Sequence, residues 1–286
     1  MEKLTYTNTR GESIAFDGPP FHLISVNGLG DVAANVQRQK SPFQDGSTRI
    51  GSTLQERVIA IEFLIVGDNY SEVSEGRILL SRIFNPGLDE GILRYENDHV
   101  IREIRAGAES VPFFPDGSGN RIESMQKGMV TLVASSPYWQ DINPTNIKLE
   151  DYVSAFRFPF HFPVRFATRG DTRMLVNEGH APTPVKITFR GESINPQITK
   201  VDTGETIRIK RTIPEGYSLV ITTDFDNMSA NIIAPDGVIT DAMGYLDLSL
   251  NWSFFSLDVG ENKLTFITEG GKPDVYIEYR NLYLGV

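Results

Sequence analysis

The sequence predicts a mainly β protein in two β-rich halves. The first half carries one helix packed on a sheet, and the second is an antiparallel sandwich or jelly roll. Three observations carry this. The periodic segments are short, rich in aromatic and β-branched residues, and separated by Gly, Pro, Asn and Asp. Only residues 71–84 show an apolar stripe at helical spacing. From residue 185 onward strand signals recur roughly every 10–14 residues with no helix between them.

In the first half the candidate strands are residues 3–6, 21–26, 58–66, 92–95, 100–104 and 129–134. Residues 58–66 (VIAIEFLIV) divide into two faces. Ile59, Ile61, Phe63 and Ile65 are wholly apolar and should face a core, whereas the opposite set carries Glu62. The helix over 71–84 opens on Ser71 as N-cap, with Glu72 and Glu75 in the first turn, where carboxylates suit the helix dipole. Leu79, Leu80, Ile83 and Phe84 supply its apolar stripe. Asn85-Pro86-Gly87 stops it, because proline lacks the amide proton and glycine accepts a positive φ. Residues 112–120 (PFFPDGSGN) read as a projecting hairpin arm with Phe113 and Phe114 at its base and Asp116 near its tip. Ser136-Pro137-Tyr138-Trp139 ends this half.

Residues 156–166 (FRFPFHFPVRF) alternate Phe with Arg, Pro and His, and their two prolines exclude a central strand. The stretch reads as an extended connector, followed by a turn cluster at 177–184 (NEGHAPTP). Strand signals resume at 185–189, 206–210, 218–222, 231–233, 263–268, 274–279 and 282–284. The expected layout is a domain over 1–140, a connector over 141–184 and a β-sandwich over 185–286.

Composition narrows the function. The 286 residues hold 27 Lys and Arg against 37 Asp and Glu, a net charge of −10. That balance argues against coating nucleic acid, which needs clustered cations to neutralise phosphate. With no cysteine in the chain, disulfides, thiolate nucleophiles and cysteine-ligated metals are excluded. None of His22, His99, His161 and His180 forms an HxxxH or HExxH pair, so no metal site is expected. The longest apolar stretch, residues 58–66, is far below the ~20 residues a membrane span needs. The opening residues lack the apolar core of a signal peptide, so none is expected.

Chemistry-bearing motifs are few. Gly28, Gly30 and Ala33 match G-x-G-x-x-A after an apolar strand, but Ala33 is followed by no apolar stripe and soon by Pro42. A phosphate site there would need a helix N-terminus, so a glycine turn between strands is expected instead. Asp224 and Asp226 lack the further ligands of a calcium loop and read as a polar turn. No G-x-S-x-G elbow is present, and no cofactor or catalytic set is expected. Trp252 and Tyr245, near Asp247, Phe254 and Asn251, suit stacking on a sugar. Since aromatic side chains are more often buried, the preferred expectation is that residues 251–262 (NWSFFSLDVGEN) form a strand and turn whose aromatics fill the sandwich core.

The order and spacing of several segments resemble the distal tail protein (Dit) family of long-tailed, non-contractile bacteriophages. In the first half these are Gly11-Glu12-Ser13-Ile14, Val26-Asn27-Gly28-Leu29-Gly30, the 58–66 strand, Ile83-Phe84-Asn85-Pro86-Gly87, Leu93-Arg94-Tyr95 and Ser136-Pro137-Tyr138-Trp139. The connector prolines Pro159 and Pro163, and Asn177-Glu178-Gly179 with Pro182 and Pro184, continue the likeness. So do Phe189-Arg190-Gly191, Asn195-Pro196, Thr203-Gly204-Glu205 and Leu257-Asp258-Val259-Gly260-Glu261-Asn262. Residues 113–120 depart from the family in length and composition.

The resemblance implies a non-catalytic hub in the virion, at the distal end of the tail. It implies an N-terminal β-sandwich with a helix and a long hairpin arm, and a galectin-like or carbohydrate-binding-module-like C-terminal β-sandwich. Six copies would form a ring joining the major tail tube protein to the tail-associated (Tal) protein, and the ring would carry receptor-binding proteins. Residues 58–66, the 113–120 arm with Phe113, Phe114 and Asp116, and the edge strands of the first domain are the expected inter-subunit contacts, because sheet edges and loop arms offer unpaired amides and reach to a neighbour. Six copies at −10 each carry −60, so an acidic channel wall is expected to let DNA pass without sticking. The alternative is a module docking on host carbohydrate through Trp252, Tyr245 and Asn251. A wall hydrolase, the third class, has no organised acid/base set to support it.

Overall fold

The computed structural model describes residues 2–149 and 169–286. The chain forms two compact units: Met1–Ile142 together with Tyr283–Val286, and Asn143–Leu282.

The first unit is a β-sheet folded over one core. Its strands run in the order Ser13–Ala15, Lys3–Thr7, Gly91–Glu96, Ile101–Ala108, Met125–Ala134, Arg57–Val66 and Phe21–Asn27, with neighbours antiparallel. Ile101–Ala108 meets Met125–Ala134 through only Ala108↔Leu132 and Gly107↔Val133. Side chains from both sides of that joint fill a common core: Leu4, Tyr6, Leu93 and Tyr95 from one part, and Ile59, Ile61, Phe63 and Leu132 from the other. Arg57–Val66 buries alternate residues, and the predicted apolar set faces inward while Glu62 faces out. An aromatic group of Tyr6, Phe16, Phe63 and Phe84 fills the centre, with Tyr6 and Phe84 stacked at 4.8 Å between ring centroids.

The helix spans Tyr70–Ile83 and is capped by Asn69, not by Ser71 as expected. The Glu72 amide donates to Asn69 Oδ1 at 3.1 Å, and the Glu72 carboxylate accepts from the Asp68 amide at 2.9 Å. Asn69 thereby satisfies an amide that the first turn would leave unpaired. Val73, Gly76, Leu80 and Ile83 form the buried stripe. Gly76 is needed there: a Cβ would lie 2.8 Å from Ile65 Cγ2, so glycine lets the helix sit directly on the sheet.

The second unit is an antiparallel sandwich. One sheet has the order Thr145–Leu149, Asp274–Tyr279, Lys186–Arg190, Ser218–Thr222, Ser229–Ile233, Ile239–Asp241. The other has the order Arg169–Asn177, Gly260–Thr268, Gln197–Lys200, Glu205–Arg208. Ile187, Phe189, Leu219 and Ile277 from the first share a core with Leu175, Ile198, Ile207 and Phe266 from the second. Phe189 meets Phe266 edge-on at 6.4 Å.

Residues 156–166, the centre of the expected connector, lie outside the described residues. Its flanks are sheet. Thr145–Leu149 pairs with Asp274–Tyr279, and Arg169–Asn177 pairs with Gly260–Thr268. Arg169–Asn177 escapes pattern reading because Met174 and Val176 are apolar on its outward side, which blurs the alternation. The turn cluster at 177–184 is organised by buried Asn177, which accepts from the Gly179 amide and donates to the Ala181 and Leu257 carbonyls.

Candidate assembly and binding surfaces

Pattern reading gave residues 34–54 no structure beyond a turn after the glycines. They form a hairpin that stands as a sheet of its own, with Ala34–Gln39 pairing Thr48–Leu54. Every residue of the first strand is exposed, and none of the second is buried. Phe43, at the tip, is fully exposed and sits at φ 64, in the left-handed region a bulky side chain disfavours. Arg38, Lys40 and Arg49 against Asp45 give the hairpin +2, in a chain of −10. The available signal was the turn chemistry of Ser41-Pro42 and Asp45-Gly46; with no apolar face there was no period to read.

Residues 112–120 do not project as a free arm. Phe113 exchanges both backbone hydrogen bonds with Met129, at 2.8 and 2.9 Å, and the Pro115 carbonyl accepts from the buried Gln126 amide at 2.9 Å. The Phe113 side chain still faces out, at 61% exposure. Phe114 faces inward: its ring meets Phe63 edge-on at 6.3 Å, and the Arg77 guanidinium lies over it at 5.0 Å. Asp116 is exposed and pairs with Arg121 at 3.3 Å.

Gly28 holds φ +92, and a Cβ there would lie 2.0 Å from the Val58 carbonyl oxygen. It therefore serves close backbone approach, and a strand rather than a helix follows Ala33. The Gly28 carbonyl belongs to a cage around Arg57. This guanidinium is fully buried and donates to the carbonyls of Pro137, Gly28, Asp31 and Leu284 at 2.9, 2.8, 3.0 and 2.5 Å, with Leu29 at 3.3 Å. Burial pushes its pKa down, and the Asp31 charge offsets this in part. Trp139, also fully buried, donates its indole N–H to Leu29 O at 3.0 Å. Residues 283–286 close the cage: Arg102 donates to Gly285 O and stacks over the Tyr283 ring at 3.6 Å. A sequence signal for Arg57 existed, because it falls in the same alternate set as Ile59, Ile61, Phe63 and Ile65.

In the second unit, Asp224 and Asp226 lie in an exposed turn between Ser218–Thr222 and Ser229–Ile233, as expected. Among the described residues no group of three or more His, Asp or Glu side chains is placed to hold a metal ion. Of the aromatics in residues 251–262, Phe255 is buried in the core and Phe254 packs on it, whereas Trp252, 45% exposed, does not fill it as expected; Tyr245 is 40% exposed. The segment 245–253 runs along the open edge of Glu205–Arg208 and turns these two rings away from the core. Asn251 is exposed, and its carbonyl accepts from the Thr206 amide at 2.9 Å. Asp247 is buried, and the Lys210 ammonium 2.7 Å away, with Ser249 beside it, lowers its pKa to about 2.

Two family models match the chain. Residues 9–134 match the phage tail protein RIFT-related domain, and residues 178–283 match the siphovirus-type tail component, C-terminal domain. Among solved structures, the chain is similar to the Dit protein of phage SPP1, described as a paradigm of the hub adsorption apparatus in phages infecting Gram-positive hosts. The TM-score is 0.71 at 11% identity, over 99% of both chains. A chain of the phage P2 baseplate in its activated conformation with Ca is similar with TM-score 0.55 and 9% identity, over 98% of this chain and 97% of that one. A chain of the phage P2 baseplate in its activated conformation with Sr gives TM-score 0.54 at 9% identity, over 97% of this chain and 98% of that one. None of the curated proteins matches the chain in sequence.

Proposed function

As the chain belongs to the siphophage distal tail protein (Dit) family of structural tail and baseplate components, we propose that six copies close into a ring at the distal end of the tail. The ring joins the tail tube to the tail-associated (Tal) protein and carries receptor-binding proteins. In this reading the chain works by shape and contact, and it catalyses nothing.

The observation that carries the ring is the hairpin Ala34–Leu54. An isolated two-stranded hairpin is at best marginally stable in water. This one buries no side chain, yet it holds an aromatic residue and a local excess of positive charge out from an acidic protein. A neighbouring copy supplies what it lacks: surface to cover Phe43, and carboxylates for Arg38, Lys40 and Arg49. A hairpin on one patch meeting a different patch on the next copy is a heterologous contact, the kind that closes into rings. Phe113 and Asp116, both turned outward, are further contact candidates, whereas Phe114 serves the core.

Native mass spectrometry of the purified chain tests this. The expected result is one assembly of six times 31.9 kDa, about 191 kDa, lost when Arg38, Lys40 and Arg49 are all changed to Glu. A monomer at every concentration, or an open series of oligomers, would count against the ring.

A further inference from the structure

The strand Phe21–Asn27 ends the sheet of the first unit, and the two ends of that strand differ. Past Asn27 the chain leaves for the hairpin Ala34–Leu54. At the other end, Phe21 and Val66 join the helix residues Glu72, Glu75, Gly76 and Leu79 around an open groove of about 370 Å³. Its floor is Gly76 beside the Phe21 ring: a Cβ on Gly76 would lie 3.4 Å from Phe21 Cε1, so any side chain in its place would fill the floor. Its rim is acidic. Glu75 is exposed and pairs with no cation among the described residues, and no Lys or Arg lines the groove. Arg82, three residues past Leu79, is taken by Glu12 at 2.9 Å.

The hairpin tip is the complement of this groove. Phe43 is fully exposed at φ 64. Glycine would hold that angle without strain, so the aromatic ring itself is what the position calls for. Arg38 and Lys40 make no ion pair among the described residues. Building on the ring, we propose that Phe43 of one copy seats in this groove of the next, with Lys40 and Arg38 set against Glu75 and Glu72. A copy cannot satisfy itself: no hairpin residue lines the groove, and the strand alone separates its two ends by about 20 Å at the usual rise. Donor and acceptor at opposite ends of one edge make a head-to-tail contact, which passes from copy to copy until it closes. The edge of Phe21–Asn27 does not take the hairpin as a further strand, because a register shift between Leu23 and Ser25 breaks its run of amides. The larger hollow across the helix, about 550 Å³ beside Ile78, Val111 and Phe114, holds Arg77 and no carboxylate, so it repels the hairpin cations.

The chain has no cysteine, so two introduced thiols are its only ones. Gln44→Cys, next to Phe43, is combined with Asp68→Cys, whose amide donates to the Glu72 carboxylate at the groove rim. A short bismaleimide should then give a ladder of covalent species from dimer to hexamer on a denaturing gel. Each single variant stops at dimer, and Gln44→Cys with Val111→Cys gives no ladder. Phe43→Gly should weaken assembly about tenfold or more without lowering the thermal unfolding midpoint. Glu75→Lys should weaken it too, and Lys40→Glu added to Glu75→Lys should restore it. A ring seen by native mass spectrometry without the Asp68 ladder, a ladder through Val111, or undiminished assembly of Phe43→Gly would overturn the groove and leave the ring standing. A chain that never assembles would overturn both.

Discussion

A guanidinium shut away from water costs several kcal/mol to bury unless its N–H groups find acceptors. Arg57 finds them among the backbone carbonyls of Pro137, Gly28, Leu29, Asp31 and Leu284. It is therefore a clamp on the loop 28–31, on Pro137 and on Leu284. Arg57→Met leaves those oxygens without their donor and should destabilise the first unit by roughly 3 kcal/mol or more. Urea unfolding followed by Trp139 emission, in a Trp252→Phe background, measures this; a change below about 0.5 kcal/mol would contradict the clamp. Asp247 makes a pH prediction. Its folded pKa, held down chiefly by Lys210 and then by Ser249, is about 2 against 3.8 for an ordinary aspartate. The stabilisation it gives is complete above pH 3.8 and is lost as pH falls through about 2. Thermal unfolding of the second unit between those values should be less acid-sensitive in Asp247→Asn. Equal acid sensitivity would show that the carboxylate is not linked to stability.

At the scale of elements, the return of residues 283–286 to the first unit has a direct consequence. Tyr283 and Val286 pack on its core, Tyr283 donates to Asp141 at 3.3 Å, and Leu284 and Gly285 accept from Arg57 and Arg102. Deleting these four residues should lower the unfolding midpoint of the first unit and expose Trp139 to quencher, while Trp252 emission stays unchanged. An unaltered Trp139 would show that the return is incidental. The strand 58–66 and its inward face are legible in the sequence because nine residues alternate cleanly around Ile59, Ile61, Phe63 and Ile65. The helix is legible from its apolar stripe around Leu80 and Ile83, but its cap is Asn69 instead of the expected Ser71, and Val73 and Gly76, outside the expected stripe, are on the buried face. The hairpin Ala34–Leu54 is not legible, since a hairpin that buries nothing has no hydrophobic period. Nor is the groove at Phe21, Val66, Gly76 and Leu79, which exists only once the helix is laid on the sheet. The exposure of Trp252 is not legible in the sequence, because burial is the commoner fate of aromatic residues and exposure here is decided by an edge segment that leaves no periodic pattern.

At the scale of the whole molecule, charge and assembly are linked. The chain carries −10, so copies repel, and only a local excess of opposite sign can steer them together. With the hairpin at +2 the remainder carries −12. Contacts made by this contrast are screened by salt, whose Debye length falls to about 3 Å at 1 M. The hexamer should therefore shift toward smaller species as salt rises, and the Arg38, Lys40 and Arg49 charge reversals should remove that salt dependence along with the assembly. Analytical ultracentrifugation reads both. The most direct test of the central claim is an image. Electron-microscopy class averages of the purified protein should show closed six-fold annuli with a central opening. Isolated two-lobed particles, or open filaments, under conditions where the protein is folded would contradict it.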